Sequence, residues 1–173
     1  VQSEIDSQAG NDSLNFAAAT YNQSTIRGGA GVTRFTDSGA VVLSNNTSIL
    51  GGDGADTVAF TNSLSVTDDK GVIAAGAGAD SLGFAAITGG SIFGGASFGD
   101  TAAGNDTLEF TGIASETKID LGSGTNFVNG TAALNGSSVY GGADKDTFVF
   151  TGDSLNSSRV GSGFCFAISI STS

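Results

Sequence analysis

One phrase keeps returning along this chain, and it constrains the fold more than any other feature. It reads aliphatic residue, glycine-rich turn, aspartate, hydroxyl residue, apolar residue, any residue, phenylalanine. The clearest copy is ILGGDGADTVAF, from Ile49 to Phe60. IAAGAGADSLGF follows from Ile73 to Phe84, and VYGGADKDTFVF runs from Val139 to Phe150. IDSQAGNDSLNF, from Ile5 to Phe16, keeps the spacing with a degraded glycine pair, and the copy opening at Ile92 carries seven extra residues before Gly104. Looser copies begin at Ile26 and Ile119, and a last start at Val160 dissolves. Aligned on the phrase, one polar position reads Asp12, Thr33, Asp56, Asp80, Asp106, Asn126 and Asp146, at spacings of 21, 23, 24, 26, 20 and 20 residues. A helical repeat does not tolerate such drift. A stack of β-coils does, because extra residues bulge at corners while strands stay in register.

Alternation supplies the faces. In the run from Asp56 to Thr61, Val58 and Phe60 point to one side while Thr57, Ala59 and Thr61 point to the other. Three apolar columns recur: Ile5, Ile26, Ile49, Ile73, Ile92, Ile119 and Val139; Leu14, Val58, Leu82, Leu108 and Phe148; and Phe16, Phe60, Phe84, Phe110 and Phe150. A third, less regular segment of each coil holds Leu64 to Val66, Ile87, Ile113, Leu134 and Leu155. One coil cannot bury its apolar face, but about seven coils stacked roughly 4.8 Å apart enclose a continuous core. The expected fold is therefore all-β, a parallel β-solenoid (β-roll or β-helix) of about seven coils of 20–26 residues, spanning residues 1–160. Residues 161–173 break the repeat and read as a capping strand or tail, with Phe164, Phe166, Ile168 and Ile170 on one face. An antiparallel sandwich of hairpins would explain short strands and tight turns, but not the return of one phrase with all its columns.

Composition narrows the function. The 28 glycines would suggest disorder, were 39% of residues not hydrophobic. Six basic residues against 17 acidic ones give a net charge of −11, which argues against nucleic acid as a partner. With no histidine and the single cysteine Cys165, the chain has neither a disulfide framework nor the residues for a zinc-type or Cys/His nucleophile site. No apolar run reaches the roughly 18 residues of a membrane span. Acidic pairs such as Asp68/Asp69 lie on opposite faces of a strand and lack a partner for acid–base work, so no enzyme activity is expected. The outward Ser/Thr array, as at Thr57/Thr61 and Thr107/Thr111, has the character of an ice-binding face but is interrupted by Ala59, Gly83, Glu109 and Val149.

GGDGADTVA, from Gly51 to Ala59, resembles the nonapeptide GGxGxDxUx of RTX-type, haemolysin-like calcium-binding repeats. GAGADSLG (Gly76 to Gly83) and AGNDTLE (Ala103 to Glu109) resemble its later part, and GGAGV (Gly28 to Val32) its first half. The resemblance implies a parallel β-roll with calcium held between a turn of one coil and the matching turn of the next. Carried over by position, the carboxylates are Asp56, Asp80 and Asp106, then Asp12 and Asp146, with Asp53 and the turn glycines Gly52, Gly54, Gly76 and Gly78 completing an oxygen shell. The pair Asp56/Asp80 is the best site and Asp80/Asp106 the second. The family alternates two such turns per coil, whereas here the second is replaced by stretches such as TDSGAVV and TDDKGV, so only one edge should carry metal. Thr33 and Asn126 interrupt that edge, and an Asx-turn, with each aspartate bonded to its own backbone, is the competing reading of the same residues.

Together these features suggest a calcium-binding structural or interaction solenoid, secreted or on the bacterial cell surface, as in a surface layer or adhesin. The alternatives are the C-terminal repeat region of a type I-secreted enzyme or toxin, and a metal-free fibre or ice-binding module. Calcium, end-to-end self-association and cell-surface components are the partners such a module implies.

Overall fold

The computed structural model describes residues 3–68, 70–97, 100–101, 104–151, 155–156, 158–161 and 164–170, with residues 155, 159 and 164–170 described by their backbone alone. The chain winds through about seven coils. The first consists of β1 (Ser3–Asp6), β2 (Asp12–Phe16) and β3 (Ala19–Asn22), and the second of β4 (Ser24–Ala30), β5 (Thr33–Asp37) and β6 (Val41–Ser44). In the third and fourth coils the last two segments fuse, giving β7 (Ser48–Asp53) with β8 (Thr57–Val66), then β9 (Val72–Ala77) with β10 (Ser81–Thr88). The fifth holds β11 (Ser91–Phe93), β12 (Thr107–Phe110) and β13 (Ala114–Ser115), and the sixth β14 (Lys118–Asp120), β15 (Phe127–Gly130) and β16 (Leu134–Asn135). The seventh has β17 (Ser138–Tyr140), β18 (Lys145–Phe150) and β19 (Leu155–Asn156). Beyond it, β20 (Arg159–Gly161) and β21 (Phe164–Ile170) pair in parallel with β17 and β18, so the backbone of the tail extends the stack.

Every strand pairing is parallel, and the repeat columns become lines of neighbours. The first sheet runs β1-β4-β7-β9-β11-β14-β17-β20, with Ile5, Ile26, Ile49, Ile73, Ile92, Ile119, Val139 and Val160 in successive register. On the second sheet Leu14, Phe35, Val58, Leu82, Leu108, Val128 and Phe148 form one file. Members of both files from the second coil to the seventh are at most 1% exposed, and the buried apolar side chains form one continuous core. Among the described residues no helix is long and apolar enough to cross a membrane.

One position corrects the expected columns. In the third segment the inward file is Leu64, Ile87, Ala114 and Leu134; Ala114 takes the core position, and Ile113 is 49% exposed. The backbone leaves the register of β10 after Phe110 and re-enters it one residue later than simple spacing suggests. The phenylalanine file also has two gaps. Phe16 is paired in register with Asp37, and in the sixth coil Gly130 stands between Phe110 and Phe150. Aromatic rings close both gaps from either side. Phe16 meets Phe60 with centroids 5.6 Å apart, and Phe110 meets Phe150 at 6.0 Å. Ring pairs at such separations are attractive beyond the area they bury. Asp37 instead turns its carboxylate to the next coil, accepting the N–H groups of Thr61 at 2.6 Å and Asn62 at 2.8 Å.

Candidate metal centre

Between the two sheets each coil makes a glycine-rich corner. Gly52, Gly54, Gly76 and Gly78 all have φ between +110° and +129°, which L-residues with a side chain rarely adopt. A Cβ at Gly52 would strike the carbonyl oxygen of Gly29, and one at Gly76 that of Gly52. The corner carbonyls therefore point along the stack axis at the α-carbon of the next glycine, and only glycine allows the coils to approach at strand spacing. Gly54 and Gly78 repeat this relationship in a second file.

The aspartates that end these corners lie in one column and turn inward. Asp56, Asp80, Asp106 and Asp146 are each at most 2% exposed, as are Thr33 and Asn126 in the same file. Each accepts the backbone N–H of the equivalent residue one coil earlier. Asp56 Oδ1 takes the N–H of Thr33 (2.6 Å), Asp80 that of Asp56 (2.7 Å), Asp106 that of Asp80 (2.9 Å) and Asp146 that of Asn126 (3.0 Å). In place of the competing Asx-turn, each Oδ1 makes a bond between coils. Strand geometry explains it: at the first residue of each inward-facing segment the side chain lies against the neighbouring coil, nearer to that coil's free N–H than to its own.

The second carboxylate oxygen is the notable one. Oδ2 of Asp12, Asp56, Asp80, Asp106 and Asp146 is buried without a hydrogen-bond partner, and so is Oγ1 of Thr33. At two corners a main-chain acceptor lies at the same glycine. Asp56 Oδ2 and the carbonyl oxygen of Ala75, one coil later, converge on the same face of Gly51; Asp106 Oδ2 and the carbonyl of Leu121 converge on Gly94. Buried polar atoms are nearly always satisfied, and acceptors gathered at one backbone position call for positive charge or a proton nearby. Two side-chain donors meet the need directly, although the Thr33 hydroxyl does not. Asn126 Nδ2 donates to Gly141 O at 2.8 Å, and Ser7 Oγ to Gly28 O at 2.7 Å.

The carboxyl groups register this environment. Burial pushes Asp56 and Asp80 up to about 6 and Asp106 up to about 7, against the N–H bonds that pull the other way, and Asp146 is raised for the same reason. The preceding carboxylate in the column adds a smaller upward push on Asp80 and Asp106. Asp53 sits exposed on the outside of its turn, apart from the column, and reaches the site only through its charge, which raises Asp56 slightly. The structure thus brings together the five column aspartates and the two glycine files, but not Asp53.

As a donor set the corner offers oxygen alone: orphaned carboxylate oxygens and backbone carbonyls. Such hard ligands suit calcium and not zinc. Among the described residues no three acidic, histidine or cysteine side chains gather at one point. A calcium ion here would accordingly draw on one or two column carboxylates, with Asp56, Asp80 and Asp106 the nearest in sequence of charge, and take the rest of its shell from main-chain carbonyls.

The opposite corner holds a second buried polar column that the repeat phrase did not single out. Thr47, Thr117 and Ser137 are at most 2% exposed, two residues before the aliphatic file. Ser137 Oγ accepts the N–H of Thr117 at 3.1 Å and donates to Ala114 O at 3.0 Å; Ser158 Oγ accepts the N–H of Ser137 at 3.1 Å. A hydroxyl both accepts and donates, so this ladder is satisfied where the carboxylate ladder is not. Its signal was legible as a hydroxyl residue at fixed distance before Ile26, Ile49, Ile119, Val139 and Val160.

No protein-family model matches the chain, and neither a curated protein nor a solved structure matches it. The fold and the corner geometry alone define it as a parallel β-solenoid with a buried acidic column.

Proposed function

We propose that this chain is a non-catalytic, calcium-stabilised solenoid that works outside the cell as a structural or interaction module, secreted or displayed on a bacterial surface. One observation carries the reading: a file of buried carboxylates whose second oxygens have no donor and, at Asp56 and Asp106, crowd the same glycine as a main-chain carbonyl. A hard divalent cation answers that arrangement by supplying positive charge to oxygens of both kinds. The RTX-like turn sequence from Gly51 to Ala59 supports the same conclusion. Outside the cell, abundant calcium would stabilise the folded rod by mass action, and the exposed faces of the sheets would remain free for contact.

Thermal melting followed by circular dichroism, with millimolar calcium and then with excess EGTA, tests the proposal. Calcium at about 100 times its dissociation constant should add about 2.7 kcal/mol, which raises the melting temperature of a chain this size by several degrees. Asp80→Ala should weaken calcium affinity more than Asp68→Ala, whose carboxylate is taken up by the N–H groups of Asn46 and Gly71. Melting that ignores calcium would remove the metal from the proposal.

A further inference from the structure

We infer that the hydroxyl corner of the stack carries a binding groove for a neutral oligosaccharide, held by the side-chain amides of Gln23, Asn45 and Asn46. The inference goes beyond calcium binding and does not depend on it, since the groove lies at the corner opposite the acidic column. A cleft of about 510 Å³ crosses three successive turns of the stack here, lined by Gln23, Asn45, Asn46, Thr67, Asp68 and Lys70. A second cleft, of about 400 Å³, shares the three amides and continues onto the first sheet at Thr25 and Arg27. Volumes in this range suit small ligands. Among the described residues the side-chain amides of Gln23 and Asn46 make no hydrogen bond, and Asn45 directs one N–H to Asn22 Oδ1 at 3.1 Å.

Backbone strain marks the same residues. Gln23, Asn45 and Asn46 have φ of +48°, +50° and +65°, in the left-handed region that is costly for any residue with a side chain. In a later coil Gly136 takes the position of Gln23 and Asn46, directly before the buried hydroxyl, at φ +60°. Glycine thus fits this corner without strain, so the fold does not require these two amides, and their use lies on the surface they line. Charge and hydrogen-bond chemistry select the ligand. The Asp68 carboxylate is engaged by the backbone N–H groups of Asn46 (3.1 Å), Lys70 (3.3 Å) and Gly71 (3.0 Å), and Arg27 pairs with Glu4 at 3.4 Å. Lys70 and Arg27 offset Asp68 and Glu4, which leaves the groove near neutral. An anionic ligand meets repulsion from a chain of net −11, and a cationic one finds both carboxylates already engaged. What stays open is a row of amides, each with donor and acceptor side by side, next to the Thr25 and Thr67 hydroxyls. A sugar hydroxyl also both donates and accepts, so adjacent hydroxyls of a sugar ring meet such amides in matched pairs.

Titration of the full chain in millimolar calcium with maltohexaose, cellohexaose, mannohexaose and chitohexaose tests the inference, read by calorimetry and by NMR of the side-chain amides. At least one of these sugars should bind saturably, with a dissociation constant of about 1 mM or tighter, and shift the Gln23 and Asn46 amide signals. Gln23→Glu combined with Asn46→Asp keeps the side-chain shapes and removes both NH2 donors. The pair should weaken binding at least about tenfold with the circular dichroism spectrum unchanged. Asn15→Asp, at an exposed amide on the other sheet, and Lys70→Met should each change the affinity by less than about threefold. Absence of binding by all of these sugars up to about 10 mM, or amide shifts confined to other residues, would overturn the inference. So would binding that survives the double substitution, equal weakening by Asn15→Asp, or tighter binding of hexagalacturonate that Lys70→Met abolishes.

Discussion

Asn126 bonds to Gly141 across one coil boundary and to Asp106 across the other: its Nδ2 donates to Gly141 O at 2.8 Å, and its Oδ1 accepts the Asp106 N–H at 2.8 Å. One amide therefore ties three coils together. The aspartates in the same file make the backward bond and leave the forward side with an oxygen that has no donor. Asparagine and aspartate have the same shape, so the difference is one of hydrogen-bond chemistry alone.

Replacing Asp80 or Asp106 with asparagine should consequently stabilise the calcium-free chain. A new forward hydrogen bond and the removal of a buried charge together are worth roughly 1 kcal/mol or more, or about 2–4 °C in melting temperature for each kcal/mol. The same variants should lose part of the calcium response. Paired melts in EGTA and in calcium check both effects.

Acidity should act on the same column. In EGTA the folded state holds protons on Asp56, Asp80 and Asp106 up to about pH 6 to 7, while the unfolded chain releases them near 3.8. Between those values the native state binds more protons than the unfolded one, so stability falls as pH rises and levels off above about 7. Calcium requires the ionised carboxylates, and its stabilising effect should grow over the same interval with release of protons. Melting temperature against pH, with and without calcium, should give two curves that diverge upward from about pH 5.

The hydroxyl column makes a different prediction. Ser137→Ala removes the acceptor of the Thr117 N–H and the donor to Ala114 O, leaving buried backbone groups unpaired. The cost should be about 1–3 kcal/mol, independent of calcium and of pH between 4 and 8, as measured by denaturant unfolding. A calcium-dependent loss would mean that the two corners are coupled.

Gly130 is needed for its lack of a side chain. A Cβ there would collide with the rings of Phe110 and Phe150, which meet through the gap it leaves. Gly130→Val should destabilise by about 1–3 kcal/mol through overpacking, and Phe110→Ala by about 3–5 kcal/mol through the cavity it opens. Unfolding in urea ranks the two.

The stacked architecture was readable because a solenoid places like positions of the phrase directly over one another. Spacing in sequence then becomes contact in space, and Val58, Leu82 and Leu108 fall in one file as their alignment requires. Register at irregular corners was less legible: Ala114 instead of Ile113 enters the core because the chain length between two files is set by the corner's path and not by hydrophobicity. The aspartate file was visible as residues, but the direction of its side chains was not.

By itself the sequence determined that the chain repeats, that its apolar residues alternate at strand period, and that one acidic position recurs at each glycine-rich corner. Only the tertiary structure decided that this position faces inward, that each carboxylate reaches back to the coil before, and that rings from alternate coils meet across Asp37 and Gly130. The physical reason is that these relations join different coils. A pattern within one coil fixes which face a residue is on, but the partner it meets there is set by the stacking of two neighbours, which no single copy of the phrase contains.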